Sequence, residues 1–284
     1  MSLPFTAPLA AHEHAAYADA AAMVAALRPE QPVYCIRPHV LREAARHFVE
    51  TFPGKVLYAV KCNAEPAFLD ALHEGGIRHF DTASLPEISV VAERFADTTS
   101  YFMHPVKQRG GIRAAYGQHG VRHFVVDHAD ELAKVMVETG GAADAVIVVR
   151  LATARGAAVY DLGGKFGASP AQAAALLRQA YGAGRRVGLS FHVGSQCLTP
   201  GSYTAALRLA AHTLDLAGVP LSVIDVGGGF PVAYVGLHPP PLEDYVAAIR
   251  AGLAGMELPA DCELWCEPGR ALVAAGASLV VRVE

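Results

Sequence analysis

The stretch VLYAVKCN, residues 56–63, sets five apolar or aromatic residues in a row and follows them with a lysine. Five residues are too few for a helix. An unbroken apolar run of that length suits a strand buried on both faces, as in a parallel sheet. The lysine then falls where such a strand ends.

The same design recurs along the chain. Short runs rich in Val, Ile, Phe and Tyr lie at Val56–Val60, His79–Thr82, Thr99–Met103, His123–Val126, Val146–Leu151, Gly188–Val193, Val223–Val226 and Cys262–Cys266. Helix punctuation stands between them. Glu65-Pro66 opens one helix and Gly75-Gly76 closes it. Ser84-Leu85-Pro86-Glu87 has the form of a capping box, and Asp127 is placed to cap the segment after it. Ser169-Pro170 and Thr199-Pro200 are further starts, and Gly218 is a stop. Eight strands alternating with helices predict a (β/α)8 barrel, which takes about 250 residues. A doubly wound open sheet is the alternative on pattern alone. The 284 residues, 52% of them hydrophobic, suffice for either core.

Two pieces fall outside this count. Pro32–Arg37 and Ser278–Glu284 are strand-like, before the first barrel strand and after the eighth. A lone strand pair is marginal in water. The expected organisation is a helical extension over 1–31, a barrel over 32–277, and over 278–284 the first strand of a second, β-rich domain of which only remnants are present.

Composition removes several function classes. Lys plus Arg number 23 against 27 Asp plus Glu, a net charge of −4, so no general attraction for nucleic acid or an anionic membrane is expected. The N-terminus lacks a basic leader, and no apolar run approaches the ~20 residues of a membrane span. The five cysteines lack paired CxxC spacing, so no metal site is expected, and reduced thiols in a cytoplasmic protein fit best.

Chemistry-bearing residues gather at the strand ends. Lys61 follows the first strand, Asp81 closes the second, and His104 and Asp127 follow the third and fourth. Arg150 is near the end of the fifth, His192 ends the sixth, Gly227-Gly228-Gly229 follows the seventh and Glu267 the eighth. Barrel active sites are built at that end. Glycines after the seventh strand let backbone N–H groups approach a phosphate. A lysine partly withdrawn from water has a lowered pKa and can attack an aldehyde.

The motifs YAVKCN (58–63), FDTAS (80–84), KFG (165–167), FHVGSQ (191–196), DVGGGFP (225–231) and CEPGR (266–270), taken in order, resemble the fold-type III decarboxylases that use pyridoxal 5'-phosphate (PLP), of the ornithine/diaminopimelate/arginine type. The resemblance runs from about Pro32 to the end of the chain. It implies a barrel of the alanine-racemase-like type, with Lys61 forming the Schiff base to PLP. It further implies that His192 stacks on the cofactor ring and that Ser195, Gly227, Gly228, Gly229, Gly269 and Arg270 surround the phosphate, unless Arg270 only pins its loop. Glu267 would face the pyridine nitrogen and keep it protonated, the electron sink that decarboxylation requires. Racemases on this barrel carry an arginine there. Asp81, Glu87 and Arg150 match positions around the cofactor, although a capping role serves Glu87 nearly as well. Lys165 matches a lysine that reaches across a dimer.

By the same resemblance the family completes its active site in trans, with a cysteine, an aspartate and a tyrosine from the partner's C-terminal domain. None of these follows Glu284 in this sequence, so the chain alone is expected to be inactive or impaired, and a homodimer is expected with that domain present. The implied substrate is a small basic amino acid. Ornithine or a relative ranks first, on Cys197 and the Cys-Asn of YAVKCN; diaminopimelate is second, on Gln196. The implied role is in polyamine or amino-acid metabolism. A racemase, or a catalytically impaired homologue acting as a PLP-binding or regulatory protein, are the competing readings. His12, His14, His119, His123 and His128 are read as surface or loop residues.

Overall fold

A computed structural model describes residues 15–153, 158–160 and 165–283. The strands in chain order are β1 (Val33–Ile36), β2 (Lys55–Ala59), β3 (His79–Thr82), β4 (Thr99–Phe102), β5 (His123–Val126), β6 (Val146–Arg150), β7 (Ala158–Tyr160), β8 (Arg186–Ser190), β9 (Ser195–Cys197), β10 (Val223–Asp225), β11 (Glu263–Cys266) and β12 (Ala277–Val280). Eight of them close a barrel in the order β10-β11-β2-β3-β4-β5-β6-β8, and every neighbouring pair is parallel. Each of the eight expected strands is present, with ends that differ by at most three residues, the largest shift being at β8. The closed ring excludes the open sheet.

Two compact units contain the chain. One is Arg37–Gly276, which holds the whole barrel. The other joins the described residues up to Ile36 with those from Ala277 onward. In it the two strand-like flanks pair with each other: Val33 to Ile36 run antiparallel to Val280 to Ala277. A short helix, Ala20–Leu27, starts at Asp19, whose side chain accepts the Ala22 N–H at 2.7 Å.

Local chemistry explains most helix ends. Pro66 stands at the first turn of Pro66–Glu74, behind Glu65. Ser169 and Gln172 form a reciprocal capping box on Pro170–Gly182. Gly218 ends Gly201–Ala217 in the left-handed conformation. Ser84 accepts the Glu87 N–H, while the Glu87 carboxylate turns back to the Ala83 N–H at 2.7 Å. Glu87 is therefore engaged as a cap. Asp127 is not the cap that the sequence suggested. His128 takes that place, accepting the Asp130 N–H, and Asp127 Oδ2 instead accepts the Gly167 N–H at 2.9 Å. A short polar side chain satisfies whichever orphan donor the fold brings nearest.

Inside the barrel, Leu57, Tyr101, Met103, Val125, Val146, Val148, Val223 and Trp265 form one buried cluster. Gly188 belongs to this packing, since a Cβ there would lie 2.8 Å from that of Val223. Polar groups share the N-terminal end. Glu263 Oε2 accepts from Lys55 Nζ at 2.7 Å and from Trp265 Nε1 at 2.8 Å, and Tyr101 Oη lies 3.0 Å from His79 Nδ1. His123 stacks on Tyr101 and meets the edge of Trp265. It is thus a barrel residue, not a surface one. Burial first, and the nearby Lys55 charge second, push both His79 and His123 down to about 4. Among the described residues no helix is long and apolar enough to cross a membrane.

Candidate active site

The opposite end of the barrel gathers the charged residues. Lys61 sits in a 3-10 turn, Val60–Cys62, that continues β2. Its Nζ donates to Asp81 Oδ2, on β3, at 2.5 Å. Asp81 is fully buried, whereas about half of the Lys61 side-chain surface reaches solvent. The lysine therefore lies at a mouth, with a carboxylate behind it. Desolvation pulls its pKa down, but the buried Asp81 carboxylate works against that through its charge and its hydrogen bond, and the net shift is upward. The lowered pKa expected from the sequence is thus reversed, because the sequence could not show how near a buried carboxylate comes.

Backbone hydrogen bonds extend the barrel past its strands. Phe191 N–H donates to Asp225 O at 3.1 Å, Glu267 N–H to Gly227 O at 2.8 Å, and Ala59 N–H to Pro268 O at 3.1 Å. They tie the loops after β8, β10, β11 and β2 into one rim. His192 is fixed at two points, and its ring lies close over Gly228. Thr153 Oγ1 donates to its carbonyl at 2.9 Å, and its Nδ1 accepts the Gly194 N–H at 2.9 Å. A Cβ at Gly228 would come within 3.0 Å of its Nε2. Nδ1 being an acceptor, the neutral ring carries its proton on Nε2. Burial, then the charges of Arg150 and Lys61, hold the imidazole well below its ordinary value, so it stays uncharged.

Glu267 is 4% exposed and Asp225 is fully buried. The two carboxyl groups act on each other, and Asp225 Oδ1 accepts the Gly227 N–H at 2.9 Å. Burial, followed by the charges of Asp225 and Asp81, raises Glu267 well above the carboxylate range. Burial pushes Asp225 up to about 6. Two ionised carboxylates could not face each other out of water, so one proton stays between them, on Glu267. Asp225 drew no role in the sequence because it reads as the penultimate residue of an apolar strand, Val223–Val226. Its position one residue before three glycines was the available signal.

Gly227 and Gly229 have φ of +66° and +108°, and Cβ atoms there would lie 2.1 Å from Phe191 O and 2.5 Å from Gly194 O. Ser195 opens β9, which pairs antiparallel with β7. Gly269 caps the four-residue helix Arg270–Val273, and Arg270 Nη1 donates to Tyr234 Oη at 3.0 Å. The structure thus brings together Lys61, Asp81, Arg150, His192, Glu267 and the glycine loop, with Ser195, Gly269 and Arg270 on the adjoining segments. His104 and Lys165 lie apart, both against Phe166, with His104 edge-on at 5.2 Å and Lys165 Nζ 5.1 Å from the ring centre. Gln196, a pointer to substrate in the sequence, is engaged elsewhere: its side chain binds the backbone of Val232. It holds a loop.

The arrangement fits a pyridoxal cofactor. Asp81 Oδ1, Asp225 Oδ2 and Glu267 Oε1 are buried oxygens without a donor among the described residues, so the pocket favours a ligand that brings a basic nitrogen or a proton. The glycine loop keeps its backbone free of side chains, as a phosphate cradle requires.

Comparisons agree. Residues 39–274 match the family described as pyridoxal-dependent decarboxylase, pyridoxal binding domain. A lysine/ornithine decarboxylase of Selenomonas ruminantium is 36% identical over 235 residues, 80% of this chain and 58% of that protein. Antizyme inhibitor 2 of Xenopus laevis is 33% identical over 253 residues, 86% of this chain and 53% of that one. A solved structure of the lysine/ornithine decarboxylase of Vibrio vulnificus, complexed with cadaverine, superposes with a TM-score of 0.76 at 30% identity, covering 92% of this chain and 70% of that one. The chain spans about half the length of the curated relatives it matches.

Proposed function

We propose, from the premise that this chain belongs to the pyridoxal-dependent decarboxylases, that it is the cofactor-holding barrel of an enzyme that decarboxylates a basic amino acid, ornithine or a close relative first and diaminopimelate second. The observation that carries this is Lys61 set 2.5 Å from buried Asp81, in a site whose other carboxyl pair, Asp225 and Glu267, retains a proton.

Lys61 is the amine that would hold the cofactor, Glu267 would meet its ring nitrogen, and His192 would lie flat against the ring. Gly227, Gly228 and Gly229, with Ser195, Gly269 and Arg270, would receive the phosphate. When bound, PLP supplies the sink for the electron pair left as carbon dioxide departs. The chain's own groups prepare that chemistry. Lys61 rests as an ammonium and must lose a proton to become a nucleophile, and Asp81 Oδ2 accepts its hydrogen bond and orients the amine. Glu267 holds a proton where water is scarce, available to a basic nitrogen placed against it. His192, being neutral, adds no positive charge that would oppose that proton.

For the whole protein we place the reaction in polyamine or amino-acid metabolism, in a cytoplasmic homodimer. Five free thiols support the compartment, and exposed Lys165 on the KFG loop is available to a partner. A second reading, a regulatory homologue without turnover, draws support from the likeness to an antizyme inhibitor. Intact Lys61 and Glu267 favour the enzyme. Purified chain titrated with PLP should develop a visible absorption band that Lys61→Ala abolishes. Carbon dioxide release from ornithine, lysine, arginine and diaminopimelate by the full-length protein then ranks the substrates. No band at saturating PLP would sink the cofactor assignment, and a band without turnover of any basic amino acid would favour the regulatory reading.

A further inference from the structure

Among the described residues only Arg28 and Gln196 lie at positive φ without being glycine, and Gln196 has φ 59°. That conformation costs an ordinary residue about 1–2 kcal/mol, so the surroundings must impose it. Gln196 is 3% exposed, and both the nitrogen and the oxygen of its amide are engaged. Nε2 donates to Val232 O at 2.6 Å, and Oε1 accepts the Val232 N–H at 3.1 Å. Val232 is the first residue after Gly227-Gly228-Gly229-Phe230 that can donate from its backbone, because Pro231 has no N–H. The clamp therefore grips the loop three residues beyond Gly229, just past Pro231, where both backbone groups can be held. One residue further along the strand, Cys197 N–H donates to Gly229 O at 2.8 Å. Ser195 and the glycine loop are thus joined side by side through the two residues that follow Ser195.

We propose that Gln196 is a positioning residue that fixes the glycine loop against Ser195 for a phosphate. It acts through backbone alone and touches no ligand. A loop already held in the binding geometry loses less freedom when an anion arrives, which is where affinity is gained. The left-handed backbone turns the amide toward Val232, and the two hydrogen bonds hold it there. The proposal rests on the pyridoxal-phosphate reading of the site.

The test compares the 284-residue wild-type chain with Gln196→Gly and Gln196→Ala. Dissociation constants are measured by absorption titration for PLP and for pyridoxal, which has the same aldehyde and ring but no phosphate. Loss of the clamp should weaken PLP about tenfold in both variants and pyridoxal less than about twofold. Gln196→Gly should keep a higher thermal midpoint than Gln196→Ala, since glycine takes the left-handed backbone without strain. If Gln196→Ala does not fold, Gln196→Gly carries the comparison. Equal losses for both ligands would mean a general structural role, and unchanged PLP binding would mean no role in the cradle; either overturns the proposal. A wild-type chain that binds no PLP fails at the prior step and removes the cofactor assignment along with the proposal.

Discussion

Replacing Asp225 with asparagine should stabilise the cofactor-free chain at alkaline pH, although the residue is fully buried and hydrogen bonded. Asparagine keeps the Oδ1 that accepts the Gly227 N–H at 2.9 Å and offers Glu267 an amide in place of a second carboxylate. The folded-state value of Asp225 is about 6 against an ordinary 3.8. A carboxyl raised in this way keeps its proton in the folded state while the unfolded chain has already ionised. Stability is therefore lost as pH rises from about 4 to about 6 and stays at the lower level above that window. At about 1.4 kcal/mol per pH unit the loss approaches 3 kcal/mol. Asparagine does not titrate, so unfolding by urea should find Asp225→Asn more stable than wild type by about 1–3 kcal/mol near pH 8, with the advantage shrinking toward pH 4. Glu267 would still contribute a slope of the same sign. A variant less stable than wild type near pH 8, with an unchanged slope across the window, would show that the two carboxyls do not compete for a proton.

Two further outcomes concern the rest of the barrel. His123, held near 4 by burial, binds its proton in the unfolded chain first, so its contribution is lost as pH falls from about 6.5 through about 4; His123→Phe should flatten that acid limb in a urea series, and an unchanged limb would clear His123 of responsibility. Asp127→Ala should free the Gly167 N–H at a cost of about 1 kcal/mol and speed proteolytic cleavage near Lys165, whereas cleavage at the wild-type rate would mean that the KFG loop is held by other contacts.

The fold was legible because a barrel repeats its signal. Eight apolar runs and their caps each carried independent information, and a one-residue error at Thr199-Pro200, where the helix starts at Gly201, did no harm. The site was legible in its residue types for a related reason: strand ends are where a barrel must display its chemistry, so Lys61, Asp81 and Glu267 could be placed by counting. What could not be counted was proximity across the ring. The ammonium of Lys61, the shared proton of Asp225 and Glu267, and the uncharged His192 all depend on groups from β3, β6, β8, β10 and β11 meeting at one end. The partners of Asp127 and Gln196 were hidden for the same cause, since each spends its side chain on a backbone group that is about 40 residues away in sequence.

This proton inventory bears on how the site would select its ligand. The carboxyl end, with Asp225 and Glu267 buried beside each other, penalises any anion placed against it and favours a group that accepts a proton. The glycine loop does the opposite, since backbone N–H groups and nearby Arg270 favour negative charge. A ligand that is anionic at one end and basic at the other can satisfy both only in one orientation, and that orientation leaves Lys61 with Asp81 as the remaining reactive pair. Arginine in place of Glu267 would put a fixed cation where the chain now keeps a proton. Such a site would no longer offer a proton to a basic nitrogen, and the match to a ligand that is basic at that end would be lost, while the rest of the barrel, which other chemistries share, would be unchanged.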